Sequence, residues 1–287
     1  MSGSSRITSV AVIGSGVMGS GIAQVAATAG ISVTLVDRTQ ADLDRGRAVI
    51  ERSLERMIAK GTIDTPQATG ILSNIHPQLR MESIGDAGAV IEAVFEEPAV
   101  KRDVIRAIDA AAPSAMIVAT NTSSISITAI AASSNQPERV IGMHFFNPVP
   151  VLPLVEIVRA LQSSSEAVEL ARGLAEQIGK HPVVVNDAPG FVANRILIPM
   201  INEAICLLEQ GVAGKEEIDA IMRLGASHPM GPLALADLVG LDICLAILEV
   251  LHRDLGEDKY RPAPLLRRMV DAGHLGKKNG RGFYVYN

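Results

Sequence analysis

At 287 residues, with 48% apolar and 20% charged side chains, the chain is long enough for two domains and too apolar to remain disordered. A formal net charge of −5 and only 3% aromatic residues argue against a nucleic-acid partner, which calls for a basic face and stacking platforms. Two cysteines, Cys206 and Cys244, and six histidines without ligand spacing make a disulfide framework or a bound metal unexpected, and they point to a reducing cytoplasm.

The first strand is expected over residues 9–13, an apolar, β-branched run. A glycine turn follows, then a small-residue helix over about 20–29 that Gly30 ends. A second strand over 32–36 closes on Asp37, and helices are expected over 40–60 and 62–72. Buried strands are expected over 89–94, 116–120 and 140–144, with helices over 99–112 and 126–132 between them. The apolar pieces 154–158 and 182–185 flank a helix over 165–179 and are candidates to extend the sheet. After the turn cluster Asn186-Asp187-Ala188-Pro189-Gly190 the pattern becomes helical, with long segments over 191–209, 215–224 and 233–255. The longest apolar region, 233–251, carries Asp237, Asp242 and Glu249, so no membrane span is expected, and the first residues lack the apolar core of a signal peptide. The boundary is placed near 186: residues 1–186 form an α/β domain and 187–287 a helical one.

Gly14, Ser15, Gly16, Val17, Met18 and Gly19 fit the G-x-G-x-x-G fingerprint, and they sit between an expected strand and an expected helix. The glycines permit a tight turn, a close phosphate approach and helix–strand contact, while the helix N-terminus offers amides to the pyrophosphate. This makes the first domain a Rossmann-type, doubly wound sheet. Asp37, 21 residues after Gly16, can accept the adenosine-ribose hydroxyls and favours NAD. Its neighbour Arg38 could pair with a 2′-phosphate and leaves NADP open, and Asp37 could also be a plain cap after the strand.

An alcohol dehydrogenation needs a base for the hydroxyl proton and donors for the developing oxyanion. His144 stands at the carboxyl end of an expected strand, where open α/β sheets place their ligands. Glu156, isolated in an apolar run, is either buried and paired or on an exposed strand face. The run Asn121-Thr122-Ser123-Ser124 supplies an amide and hydroxyls at another strand end, although Ser124 or Ser126 could merely cap the next helix. Asn194 near a helix start is a further candidate donor, in a position where asparagine is more often structural. Arg52, Arg56 and Lys60 recur every four residues as a basic stripe, which fits either phosphate binding or a solvated face paired with Glu51 and Glu55.

The segments VIGSGVMGSGIAQVAA, NTSSISIT, GMHFFNPVP, PGFVANRI, HPMGPLALADLVGLD and GKKNGRGFYVY, in this order and spacing, resemble the 3-hydroxyacyl-CoA dehydrogenases, in particular their bacterial short-chain members. The resemblance implies His144 as catalytic base, Glu156 as its orienting carboxylate, and Ser123 and Asn194 as donors to the substrate oxygens. It also implies that Glu96, Lys101, Asn121, Asn147 and Lys278 lie toward the nicotinamide end of the cofactor, and that Ser53 and Lys60, with Arg56 beside them, contact CoA. Gly231, Pro232 and Asp237 would be structural in a helical domain that walls the substrate cleft and forms a homodimer interface. One departure is visible: Glu97-Pro98 follows Glu96 where the family run has an asparagine. A related NAD enzyme acting on a free hydroxy or sugar acid such as gulonate, and a non-catalytic NAD-binding protein, are the competing expectations.

Overall fold

The computed structural model describes residues 6–286, which divide into two compact units between Asp187 and Ala188. The first unit is built on one sheet. Its strands are β1 (Ser9–Ile13), β2 (Ser32–Val36), β3 (Ile75–Gln78), β4 (Ala89–Glu92), β5 (Ile117–Thr120), β6 (Val140–Phe145), β7 (Leu154–Arg159) and β8 (His181–Asn186). Their spatial order is β3-β2-β1-β4-β5-β6-β7-β8, parallel throughout except where β7 runs antiparallel to β6. The helices of this unit are α1 (Val17–Thr28), α2 (Gln40–Ala59), α3 (Thr65–Ser73), α4 (Pro98–Ala111), α5 (Ile127–Ala131) and α6 (Ser165–Gln177). Strands β4, β5 and β6 are buried along their whole length, which is why they read as continuous apolar runs without alternation. The core forms around Val10, Val12, Ile91, Ile117 and Ile141.

The order reverses direction at β1: β2 and β3 lie on one side, β4 and the rest on the other. In such sheets the crevice at the carboxyl ends of the reversal strands receives ligands. The ends of β1, β4, β5 and β6, which are consecutive in space, therefore matter most for function.

Two differences from the sequence expectation have simple causes. The helix expected from residue 20 begins at Val17, directly after the glycine turn. Strand β3 was not expected, because Ile-His-Pro-Gln has a single aliphatic residue and a proline. As an edge strand bonded only to β2, it tolerates the missing amide donor.

The second unit comprises α7 (Ala193–Glu209), α8 (Lys215–Gly225), α9 (Pro232–Val239), α10 (Leu241–Leu255) and α11 (Pro264–Asp271) around Ile198, Ile205, Leu233, Cys244 and Leu248. The single helix expected over 233–255 is two helices. Gly240 has φ +106°, a conformation no helix residue adopts, and it separates α9 from α10. Burial raises the Cys244 thiol to about 12, with Asp242 and Asp237 adding to the effect, so this cysteine stays protonated near neutral pH. Helix α11, not expected from sequence, packs against α10 and α7. Among the described residues, no helix is long and apolar enough to cross a membrane.

Candidate active site

The glycine turn joins β1 to α1 under tight steric limits. A Cβ on Gly14 would stand 2.7 Å from the Ala93 carbonyl oxygen just past β4, and one on Gly19 would stand 1.8 Å from the Gly14 carbonyl oxygen. At Gly16 nothing lies within 4 Å, so the backbone is open to an approaching group. Helix α1 starts there with no side-chain cap and no acidic residue in its first turn, while Val17 stays exposed and Met18 packs on the core. Uncapped amides, a positive helix end and open space fit a dinucleotide pyrophosphate.

Asp37 follows β2 and braces this turn. Its Oδ2 accepts the Ser15 amide and the Ser15 hydroxyl, each at 2.7 Å, and its Oδ1 accepts the Arg38 amide at 2.7 Å. Burial alone would raise its pKa, but the Ser15 and Arg38 contacts outweigh burial and hold the carboxyl below its usual range. The group is therefore anionic where a ribose would lie. The Arg38 guanidinium sits 5.9 Å from the centroid of the Phe95 ring, which is 73% exposed on the segment after β4.

At the ends of β4 and β5 a charged chain runs from the interior outward. Glu92, on the last rung of β4, and Lys101, on α4, are both fully buried, with Lys101 Nζ 2.8 Å from Glu92 Oε1. Thr120 donates to Glu92 Oε2 at 2.6 Å. The same ammonium lies 3.3 Å from Oε2 of Glu96, which is partly exposed. Glu96 Oε1 accepts the Thr122 hydroxyl and the Ser123 amide, the latter at 2.8 Å, with the Ser123 hydroxyl at 3.2 Å. Burial would raise the Glu96 pKa, but Lys101, Thr122 and Ser123 together hold it below the usual carboxylate range.

Next in the sheet, Asn121 Oδ1 accepts the Phe145 amide at 2.9 Å and ties the end of β5 to the strand that bears His144. The antiparallel register of β6 and β7 sets His144 opposite Glu156. His144 is 6% exposed and Glu156 is 3% exposed, and Nδ1 of the ring lies 2.8 Å from Oε2 of the carboxylate. The imidazole also rests against the Phe146 ring, centroid to centroid 4.5 Å. Of the two placements the sequence left open for Glu156, buried and paired is the one found. A carboxylate at this distance fixes the tautomer with the proton on Nδ1 and turns Nε2 into the basic nitrogen.

The remaining sequence candidates each sit within one of the two units. Asn147 is exposed in the turn after β6. Lys101 lies between Glu92, Glu96 and the Val94 carbonyl oxygen, so its ammonium does not reach the surface. In the second unit Asn194 is buried in the first turn of α7, and Lys278 grips both oxygens of Asp242 at 2.5 and 2.6 Å. Arg52 and Arg56 are exposed on α2 and Lys60 just past its C-terminal end, with Ser53 half-buried beside them. Glu51 pairs with Arg47, and no ion pair engages the three basic residues among the described residues. Sequence reasoning missed Glu92 and Thr120. The available signal was a carboxylate inside a strand that is otherwise wholly apolar. It also missed Asp219, which accepts the Leu233 and Ala234 amides and so caps α9 from α8.

Comparison with known proteins follows the same division. Residues 9–188 match the family described as 3-hydroxyacyl-CoA dehydrogenase, NAD binding domain, and residues 190–286 match its C-terminal domain. The chain is 52% identical over 276 residues to a Deinococcus radiodurans protein named "Probable 3-hydroxybutyryl-CoA dehydrogenase", covering 96% of this chain and 99% of that one. It is 48% identical over 278 residues to the 3-hydroxybutyryl-CoA dehydrogenase of Clostridioides difficile, covering 97% and 99%. The crystal structure of (S)-3-hydroxybutyryl-CoA dehydrogenase from Ralstonia eutropha superimposes with a TM-score of 0.94 at 47% identity, over 98% of this chain and all of that one. Both units are matched in order and nearly end to end, and the chain belongs to the 3-hydroxyacyl-CoA dehydrogenase family.

Proposed function

We propose that the protein catalyses the reversible, NAD-dependent oxidation of short-chain (S)-3-hydroxyacyl-CoA to the 3-ketoacyl-CoA, with 3-hydroxybutyryl-CoA and acetoacetyl-CoA as its substrate pair. The observation that carries this reading is the buried His144–Glu156 pair at the carboxyl end of the sheet. Bound NAD supplies the two-electron acceptor for the hydrogen on C3. Nε2 of His144 takes the C3 hydroxyl proton, and the Glu156 carboxylate stabilises the imidazolium that results. In the reverse direction the same imidazolium returns the proton to the carbonyl oxygen. Ser123, held by Glu96, and Asn194, carried by α7, donate to the substrate oxygens.

The cofactor is held by the Gly14–Gly19 turn for its phosphates and by Asp37 for the adenosine ribose, which favours NAD, while Arg38 keeps some use of NADP open. Glu96, Asn121, Asn147 and Lys278 are assigned to the nicotinamide end. Ser53 and Arg56 on α2 and Lys60 at its C-terminal end are assigned to the CoA phosphates. Assembly as a homodimer through the helical unit and a cytoplasmic location complete the proposal.

The test is an assay of purified enzyme with NADH against acetoacetyl-CoA and, in the oxidative direction, with NAD against 3-hydroxybutyryl-CoA and L-gulonate. Turnover is expected with the CoA thioesters and His144→Ala is expected to abolish it. Turnover with gulonate alone would move the assignment to free sugar acids. Binding of NADH without turnover of any hydroxyacyl-CoA would leave a non-catalytic protein.

A further inference from the structure

The mechanism leaves one pair of fully buried ionisable groups without a task, Glu92 and Lys101. Burying two charges is costly, and a pair needed only to fill space is commonly replaced by apolar residues at no loss. Here each polar side-chain atom of the pair has a partner. Glu92 accepts from Lys101 at 2.8 Å, from the Val94 amide at 2.7 Å and from Thr120 at 2.6 Å. The ammonium divides its donors among Glu92, the Val94 carbonyl oxygen and Glu96.

The location gives the pair its meaning. Glu92 shares the last rung of the sheet with Ile13 and Thr120, immediately below the glycine turn on one side and the serine turn on the other. Lys101 is thus pinned from beneath by one carboxylate and presents its charge to a second, Glu96, at the rim. Glu96 spends its outer oxygen on the Thr122–Ser124 turn. Without a fixed cation below it, a partly exposed glutamate would sample several rotamers and the turn would lose its common acceptor.

We propose that Glu92 is a positioning residue for the reaction: by clamping the Lys101 ammonium it fixes the Glu96 carboxylate, and through it the hydroxyl of Ser123. The inference rests on the assignment of Ser123 as a donor to the substrate oxygen. No proton or electron moves along the chain. The chain acts only by holding geometry.

Turnover per folded molecule in wild type, Ser123→Ala, Glu92→Gln and the double variant tests it, with acetoacetyl-CoA and NADH as substrates. Misplacing a donor by about 1 Å costs on the order of tenfold to a hundredfold in rate. Glu92→Gln is therefore expected to lower kcat about that much in the wild-type background and by about twofold or less in the Ser123→Ala background. A second variant, Glu92→Gln with Lys101→Met, removes both members of the fully buried pair, so that only the partly exposed Glu96 loses its cation. It is expected to melt near wild type yet show the same loss of kcat. Equal losses in both backgrounds would overturn the proposal, as would normal kcat per folded molecule at lowered Tm, or failure of both variants to fold. If Ser123→Ala turns over like wild type, the assignment of Ser123 itself falls.

Discussion

One oxygen of Asp37 receives both the amide and the hydroxyl of Ser15, each at 2.7 Å, so the acid at the end of β2 shapes the turn at the end of β1. The carboxylate that suits a ribose is thereby also the brace of the phosphate loop. With Asp37 assigned to the ribose as proposed, cofactor affinity and local stability share a single group and should respond together when it is altered.

A pH dependence follows from the direction of the Asp37 shift. Its folded pKa lies below the ordinary carboxylate value, so in that range the unfolded chain binds more protons than the native one. Stability from this group is complete above the unfolded value and is lost as pH falls through the folded one. Urea unfolding of wild type and Asp37→Asn should differ most near neutral pH and converge in acid. A gap that stays constant into strong acid would contradict the brace.

For the proposed catalytic pair, Glu156→Gln preserves shape while removing the charge assigned to stabilise the imidazolium. Losing a base or its orienting carboxylate costs about 10²–10⁴ in rate. We expect kcat to fall by at least about a hundredfold in Glu156→Gln and further in His144→Ala. NADH affinity, measured by fluorescence titration, should stay near wild type in both. Retained turnover in either variant would remove the pair from the mechanism.

Much of this site could be read in the sequence where a residue type and a strand end coincided. The glycine turn, Asp37 and His144 were found in that way, because strand, turn and helix are local patterns. Pairings set by tertiary register were harder to see. Whether Glu156 faces inward depends on β7 running antiparallel to β6, which the eleven residues between His144 and Glu156 do not reveal. The resemblance implied Lys101 as a cofactor-side residue, and its burial follows from its pairing with Glu92 beneath it, which the sequence did not reveal. Gly240 was masked by strong apolar periodicity on both sides, although its positive φ divides the helix.

In the helical unit, Asp237 is the fixed point of the C-terminal segment. It is buried and accepts the Phe283 amide at 2.9 Å, the Tyr284 amide at 2.8 Å and the Tyr286 hydroxyl at 3.0 Å. Burial and then the Asp237 carboxylate push the Tyr286 pKa up, which keeps this hydroxyl a donor. Asp237→Ala strands two amides and should cost roughly 3–5 kcal/mol by denaturant unfolding. Tyr286→Phe should cost about 1 kcal/mol. Limited proteolysis should release the C-terminal segment faster in Asp237→Ala, and equal cleavage rates would dissociate the tail from this residue.

The proposed assignment of the basic stripe on and just after α2 to CoA separates substrate recognition from the chemistry. Arg56 and Lys60 are exposed and lack ion-pair partners among the described residues, so their neutralisation leaves no buried charge behind. Charge-assisted phosphate contacts contribute about 1.5–3 kcal/mol when well made and less at an exposed site. The double variant Arg56→Ala/Lys60→Ala should therefore raise KM for acetoacetyl-CoA by about tenfold with kcat unchanged, and salt should narrow the difference. Acetoacetyl-pantetheine carries the same reacting group without the nucleotide phosphates, so its KM should be the same in both enzymes. A parallel rise with the truncated substrate would mean that the stripe acts through the fold of α2 and not through CoA.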